Sequence, residues 1–319
     1  MKPFYRKTFR ALLASVCLAW CAHAPAAEPV RVILPFGPGS GTDNTARPLF
    51  EQLGRELNQV FVIDNRPGAS GMLAAQAAAR STPDGATLFF TTNTTQTINP
   101  VLFKKLPYDP IKDFKPVVSI FTSPYLLLVR KDLPVNTLPE LLDWVRANPD
   151  QASYGWGAAV SQMAGANFLK RTGISAVGVP YKSSPQAVTD LIGGQLTYMF
   201  LDLAAAAPVI KGERVKALLI TSSQRFPSLP NIPTAAEAGL NDFEVAAWAG
   251  ILAPAGTPDD KLNRIAASVT KAMKTPEIIQ RLETCCVPAV MQGQVFADYM
   301  ARDHAKWQEW AELAGITPE

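Results

Sequence analysis

Residues 33–50 read "ILPFGPGSGTDNTARPLF", which joins an apolar strand to an amphipathic helix through a glycine-rich loop. The overlapping segment "VRVILPF" is typical of a buried strand. The strand "VFVIDN", a Gly/Ala-rich helix and the strand "ATLFFTT" then continue the alternation. Strands that alternate with helices indicate a parallel sheet flanked by helices, which is an α/β fold. The apolar face of the first helix, at i, i+3, i+4, i+7 spacing, consists of Ala46, Leu49, Phe50, Leu53 and Leu57.

A second series of the same kind follows the proline-rich interval 107–116. It contains the strand "PYLLLVRK" and the helix "TLPELLDWVRANP", with Thr137 as the predicted N-cap. The strand "ASYGWG" then leads into the helix "SQMAGANFLKRTG", where Ser161 is the predicted N-cap and Gly173 the predicted stop. The strands "AVGVPY" and "LTYMFLD", with a helix between them, complete this unit.

The two series predict two lobes. The chain is expected to leave lobe one near Thr122 and to return near Ser223. Lobe one then comprises residues 28–122 and 224–319, and lobe two comprises residues 123–223. Two crossings would form a hinge that allows the lobes to close around a ligand.

Residues 1–27 are typical of a signal peptide. A basic leader with four Lys and Arg residues precedes an apolar core from residue 11 to residue 21. Small residues then offer cleavage after Ala26 or Ala27. The apolar run is shorter than the roughly 20 residues of a membrane span. The sequence therefore predicts an exported protein.

The residue counts exclude several function classes. Without the four leader cations, the chain has one fewer Lys and Arg than its 27 Asp and Glu, so no basic surface for nucleic acid is expected. Only Cys285 and Cys286 remain, as two buried thiols, a vicinal disulfide or part of a metal site. His304 is the only histidine left and is predicted on a helix surface. With no G-x-S-x-G or H-E-x-x-H motif, we expect no catalytic and no metal site; an exported enzyme would need a carboxylate base.

Four loops follow strands at the edge where open parallel sheets bind ligands. They span residues 37–42, 93–99, 155–161 and 202–206, two in each predicted lobe. The loops are therefore expected to face one another across a cleft.

The first loop supports two hypotheses. "GPGSGT" matches the start of the dinucleotide fingerprint G-x-G-x-x-G, with Thr42 at the third glycine and Asp64 near the place of a ribose-binding carboxylate. A helix N-terminus also holds any carboxylate or phosphate through its free N–H groups. Pro48, expected within the first four helical positions, places the N-cap near Asp43 or Asn44. Asp43 is then either a cap or a ligand contact.

The loop "YGWGAAVSQ" repeats the same arrangement in the second lobe. Small residues bring the main chain close to the cleft before a helix begins. Either loop alone is equally compatible with a plain glycine-rich turn. Together they predict that two helix starts hold one carboxylate between them.

Six motifs resemble the Bug family, the periplasmic solute receptors of tripartite tricarboxylate transporters. In chain order they are "ILPFGPGSGTDNTAR", "NRPGASG", "TPDGATLFF", "VPYKSSPQAVTDLIGGQLTYMF", "ALLITSSQRFPSLPNIPTAAEAGL" and "WAGILAPAGTP". The resemblance covers essentially all of the chain after the leader. It implies a type II periplasmic-binding-protein fold, with two Rossmann-like lobes and a ligand cleft between them.

The resemblance also implies a function. A periplasmic monomer without a cofactor would bind a small organic acid, which is a mono-, di- or tricarboxylate, an amino acid or an aromatic acid. It would deliver the acid to membrane transporter subunits or to a sensor kinase, and it would not be an enzyme. The alternative from the residues themselves is an exported dinucleotide-binding or carboxylate-based enzyme.

The expected ligand-binding residues come from the four loops and the resemblance. Three positions depart from the family pattern: the "GPGSGTD" loop, Trp156 in place of a small hydroxylated residue, and the extra Leu201 before Asp202. Trp248 and Tyr181 are either core residues or cleft walls. The expected set is Phe36, Gly39, Ser40, Gly41, Thr42, Asp43, Asn93, Thr94, Trp156, Ala158, Ala159, Val160, Ser161, Tyr181 and Asp202.

Overall fold

The computed structural model describes residues 28–319, so the predicted signal peptide lies outside the described residues. Ten strands form one curled sheet. They are β1 (Val30–Leu34), β2 (Phe61–Asn65), β3 (Thr87–Thr92), β4 (Phe114–Arg130), β5 (Ser153–Trp156), β6 (Val177–Pro180), β7 (Tyr198–Asp202), β8 (Val215–Ile220), β9 (Ala246–Pro254) and β10 (Val287–Pro288).

Ten α-helices and three short helices of other types cover the sheet within these residues. The α-helices are α1 (Gly41–Leu57), α2 (Met72–Ala79), α3 (Asn99–Leu102), α4 (Leu138–Ala147), α5 (Ala159–Thr172), α6 (Ser184–Ile192), α7 (Leu203–Lys211), α8 (Asp259–Ala272), α9 (Pro276–Leu282) and α10 (Gly293–Ala314). The short helices are Ala69–Gly71, the π-helix Thr94–Ile98 and Pro149–Gln151. No helix in residues 28–319 is long and apolar enough to cross a bilayer.

The sheet is parallel at its two ends and antiparallel in its middle. The strand order is β2-β1-β3-β9-β4-β7-β5-β6. β1 pairs in parallel with β2 and β3, and β5 pairs in parallel with β6 and β7. β9 is antiparallel to β3 and to β4. The α/β fold with two lobes is confirmed, but the prediction of parallel sheets missed the antiparallel strands that join them.

β4 carries the chain from one lobe to the other. Its first part pairs with β9 as far as Pro124, and from Tyr125 onward it pairs with β7. From Leu126 it also pairs with β8. The chain returns through residues 221–245 to β9. The predicted residue limits of the two lobes remain predictions.

The C-terminal helix α10 packs along both lobes. Phe296 lies edge-on to Trp248, with ring centroids 5.2 Å apart, and Trp310 lies 5.5 Å from Phe243. His304 lies on this helix, and its Nδ1 is 2.8 Å from the carbonyl oxygen of Thr97. The predicted helix-surface position of His304 is therefore wrong in part, because the ring is half-buried against the π-helix.

Candidate functional site

A small cavity lies where the two lobes meet. Its volume is about 30 Å³, which is enough for a water molecule or the narrow end of a ligand. Its wall contains segments from both sides of β4. The lining residues are Phe36, Ser40, Gly41, Thr42, Thr92, Thr94, Phe121, Ser123, Tyr125, Ala158, Ser184, Asp202, Ala247, Trp248 and Ala249.

The first helix start in this wall belongs to α1. Ser40 is its N-cap, because the Ser40 hydroxyl accepts from the N–H of Asp43 at 3.3 Å. The first helical bond runs from the Asn44 N–H to the Ser40 carbonyl oxygen at 2.9 Å. The N–H groups of Gly41 and Thr42 therefore precede the helical ladder, and both residues line the cavity.

This cap corrects two predictions. The N-cap is Ser40 and not Asp43 or Asn44. Pro48 consequently lies inside the helix, beyond the first four positions. Both errors have one cause, since serine and aspartate are equally good capping residues and only the fold decides between them.

Asp43 orders the loop instead of capping the helix. Its carboxylate accepts from the main-chain N–H of Gly39 at 3.0 Å, from Asn65 Nδ2 at 3.1 Å and from Arg47 at 2.7 and 3.0 Å. Burial raises the pKa of this carboxyl, but the hydrogen bonds from Arg47, Gly39 and Asn65 outweigh it and lower the pKa below 3.8. The carboxylate is thus saturated by the protein itself.

Replacing Asp43 with alanine should lower the free energy of unfolding by about 1–3 kcal/mol, because it removes the buried acceptor of the hydrogen bonds from Gly39, Arg47 and Asn65. The loss should shrink as pH falls below about 4, since the lowered pKa stabilises the fold only while an unfolded aspartate would be ionised. Urea unfolding at pH 7 and pH 3.5 measures both effects. Arg55→Ala, which removes an exposed ion pair to Glu51 on the same helix, should change stability by less than about 1 kcal/mol.

The second helix start belongs to α5. Its N-cap is Ala158, which offers no side-chain cap, and its first helical bond is from Gln162 N–H to Ala158 O at 3.2 Å. Ser161 therefore lies in the first turn, and the prediction that it is the N-cap is wrong. The N–H groups of residues 159–161 precede the ladder and have no capping side chain. A helix start of this kind attracts an anion.

Two further helices begin at the same cavity. Ser183 is the N-cap of α6, and its hydroxyl accepts from the Gly37 N–H of the facing loop at 2.9 Å. Asp202 is the N-cap of α7, and its carboxylate accepts from the Ala205 N–H at 3.0 Å. A side chain at Gly41 would collide with the Asp202 carboxylate. Loops of the two lobes are therefore in contact, and the structure is closed.

Polar side chains without a positive charge complete the wall. The Thr94 hydroxyl is fully buried, and none of the described residues forms a hydrogen bond with it. Ser123 and Tyr125 of β4 also line the cavity, but no Lys, Arg or His does. Burial, and secondarily the Asp202 carboxylate, raise the pKa of Tyr125, so its hydroxyl keeps its proton. An unpartnered buried hydroxyl of this kind points to a polar ligand group.

Trp248 forms an apolar side of the cavity and is fixed from behind. Its Nε1 donates to Asp303 Oδ2 of α10 at 2.9 Å, and Thr97 donates to the same oxygen at 2.6 Å. Burial is the main cause of the raised pKa of Asp303. Of the two roles considered for Trp248, the structure shows both, since the ring is buried and lines the cavity.

The structure brings part of the expected residue set together. Asp202 both caps α7 and lines the cavity. The Trp156 ring is tilted against the Tyr154 ring, with centroids 5.3 Å apart, and the Tyr181 hydroxyl donates to Asp190. Neither Trp156 nor Tyr181 lines the cavity. Their roles as ligand contacts remain predictions. The expected residues in the wall are Phe36, Ser40, Gly41, Thr42, Thr94, Ala158 and Asp202, and those beside it in sequence are Gly39, Asp43, Asn93, Ala159, Val160 and Ser161.

Sequence reasoning missed the floor of the cavity, which comes from the crossing strands. Phe121, Ser123 and Tyr125 lie on β4, and Ala247 and Ala249 lie on β9. These strands read as ordinary apolar runs, so no local signal marks them. The buried pair Cys285 and Cys286 are free thiols with sulfur atoms 3.1 Å apart.

A larger groove of about 330 Å³ runs between α1 and α9, beside the cavity. Its lining includes Pro48, Met273 and Leu282, which lie within or after helix bodies. The charged side chain in its lining is the exposed Arg281. The cavity is taken as the candidate site because it collects more helix starts than this groove.

Comparison with known proteins identifies the family. Residues 45–315 match the model of the tripartite tricarboxylate transporter family receptors, TctC. The chain belongs to this family. The protein BugT of Bordetella pertussis is 31% identical over 285 residues, which cover 88% of this chain and 87% of BugT. The family is the one that the sequence motifs predicted.

Two solved structures extend the comparison. The R. palustris protein Rpa4515, solved with adipate, has a TM-score of 0.89 and 31% identity, and the match covers 93% of this chain and 100% of that chain. MatC of Rhodopseudomonas palustris, solved with bound malate, has a TM-score of 0.83 and 33% identity over 88% of this chain and 98% of that chain. This chain thus shares its fold with both solved structures.

Proposed function

We propose that the cavity of this TctC receptor binds one carboxylate group of a small organic acid through the main-chain N–H groups at the starts of α1 and α5. The observation that supports it most is the meeting of two helix starts, α1 and the uncapped α5, at a cavity without a Lys, Arg or His side chain. The adipate and malate carried by the two solved relatives agree with an organic acid.

Physical chemistry supports this mode of binding. Each helix start presents about half a positive charge and N–H groups that need no rearrangement to receive an anion. A hydrogen bond to a charged group contributes about 1.5–3 kcal/mol. Three or four such bonds contribute about 4.5–12 kcal/mol before the loss of ligand freedom is subtracted, and the micromolar dissociation constant that we expect corresponds to about 8 kcal/mol.

Closure of the lobes would trap the acid. The contact between Gly37 and Ser183 joins loops on opposite sides of the cavity and would have to break for a ligand to enter. A receptor that opens and closes in this way can present its ligand to a membrane partner in the closed form only. Export through the predicted signal peptide would bring the protein to the periplasm, where it would deliver the acid to transporter subunits or to a sensor kinase. In this proposal it carries out no reaction.

A thermal-shift screen tests the proposal. The panel contains malate, adipate, succinate, citrate, benzoate and glutamate, with NAD and ATP as competitors for the alternative function. At least one acid should raise the melting temperature, because a ligand that binds only the folded state stabilises it. A shift with NAD or ATP and with none of the acids would favour the dinucleotide hypothesis. Conversion of a bound acid, followed by NMR, would favour an enzyme.

A further inference from the structure

We propose that Asp202 takes up a proton when the cavity binds a carboxylate, so that the receptor recognises an acid anion together with one proton. The inference rests on the proposed function and concerns the same site. It makes Asp202 the residue that sets how binding depends on pH and on the charge of the ligand.

Asp202 places a carboxylate in the wall of the cavity. Its carboxylate caps α7 through the Ala205 N–H and keeps part of its surface open to the cavity. It also touches the main chain of Gly41, the first residue of α1. A ligand carboxylate held at the starts of α1 and α5 would therefore lie beside it. Two carboxylates that share a site do not both stay ionised unless a cation joins them.

The charged groups around Asp202 do not supply that cation. On α1, the guanidinium of Arg47 is paired with Asp43 through two hydrogen bonds. On β8, the ammonium of Lys216 donates to the carbonyl oxygen of Leu133. Lys211 lies at the far end of α7, two turns from Asp202.

Of the remaining titratable groups, those buried near Asp202 are neutral or acidic, and the cations are exposed. Tyr125 is the residue of β4 directly opposite Asp202 in the sheet, and its phenol keeps its proton. The thiols of Cys285 and Cys286 lie on the segment after α9. Burial raises the pKa of Cys286, whereas the hydrogen bond with Cys286 lowers the pKa of Cys285. Two cations lie on neighbouring segments, Lys182 before α6 and Arg281 on α9, and both are exposed. A proton is thus the positive charge that Asp202 can acquire without moving the chain.

The pKa of the Asp202 carboxyl is already raised in the free protein, which favours its protonation. Burial raises the pKa of Asp202 from 3.8 to about 6, although the N–H groups of Ala205 and its neighbours lower it in part. In the free protein at pH 7 to 8 the group is therefore mainly ionised, and an anion beside it raises the pKa further. Binding is tightest below about pH 6 and weakens as pH rises above it. The apparent dissociation constant should grow about tenfold per pH unit until the pKa of the complex is reached.

Calorimetry of the mature protein tests the inference, with succinate, benzoate and glutamate as probes at pH 6, 7 and 8. Each titration is repeated in two buffers of different ionisation enthalpy. We expect close to one proton taken up per succinate or benzoate at pH 8 and about a tenfold weaker affinity at pH 8 than at pH 7. Asp202→Asn should bind both acids with a pH-independent constant equal to that of the wild type at pH 6, because asparagine still caps α7.

Asp303→Asn is the matched control, since Asp303 is a second buried carboxyl with a raised pKa, behind Trp248. Its affinity for the acids should depend on pH as that of the wild type does.

Proton uptake by the wild type tests the inference even where the Asp202 variant does not fold. Acid binding without proton uptake, or loss of the slope in Asp303→Asn only, would overturn the inference and leave the proposed function standing. Tighter binding of glutamate without proton uptake would also overturn it, because the ammonium group would then neutralise Asp202. Absence of binding by all probes at all pH values would count against the proposed function itself.

Discussion

Replacing Gly41 with alanine should weaken acid binding by about 10- to 100-fold. The added Cβ would collide with the Asp202 carboxylate oxygen and lie 2.7 Å from its Cγ. Either the two lobes stay partly open or the start of α1 shifts away from the cavity. Overpacking of this kind costs about 1–3 kcal/mol, and each 1.4 kcal/mol is a tenfold change in affinity. Calorimetric titration with the acid that gives the largest thermal shift measures the loss.

Gly193→Ala is the control for this substitution. Its Cβ would meet the Thr189 carbonyl oxygen at 3.3 Å, at the end of α6, and Gly193 does not line the cavity. Its acid affinity should stay within about twofold of the wild type, a change of about 0.4 kcal/mol. Equal affinities for Gly41→Ala and the wild type would mean that the ligand does not require the closed contact between α1 and Asp202.

Replacing Ser161 with proline should weaken binding by about 10- to 100-fold. Proline removes one N–H from the first turn of α5 and restricts the residue before it. A hydrogen bond to a charged group is worth about 1.5–3 kcal/mol, which sets the size of the effect. The helix itself should survive, because this N–H has no helical acceptor. Circular dichroism checks that the helix content is unchanged.

Ser161→Ala separates the main chain from the side chain. This variant keeps the N–H but loses the hydroxyl that lies beside Tyr125. It should lose clearly less affinity than Ser161→Pro, because only a hydrogen bond between neutral groups is removed, worth about 0.5–1.5 kcal/mol. Equal losses in the two variants would assign the contact to the hydroxyl, and unchanged affinity in Ser161→Pro would remove α5 from the binding site.

The sequence predicted the lobes and their loops because local periodicity carries that information. Apolar alternation located the strands, and glycine-rich segments located the turns into α1 and α5. The sequence did not predict the direction of the strands in the middle of the sheet, because an apolar run such as β4 is compatible with parallel or antiparallel neighbours. Its pairing with β9 joins residues more than a hundred positions apart, and no local pattern encodes such a contact.

The predictions of the helix caps and of the cavity-wall residues were wrong or incomplete for the same reason. Asp43 looked like a cap until the fold brought it to Asn65, which is 22 positions away. The wall residues on β4 and β9 approach the loops only after both crossings are made. Phe36, Gly41 and Ala158 were predictable because they belong to the loops themselves, whereas Tyr125 and Ala249 depended on how distant strands pair.

A crystal structure of the protein with its acid bound tests the central claim most directly. The account predicts that the carboxylate oxygens lie within about 3.2 Å of main-chain nitrogens at the starts of both α1 and α5. It also predicts that no Lys or Arg side chain touches them. A carboxylate bound to an arginine or lysine, or one that touches neither helix start, would contradict the account.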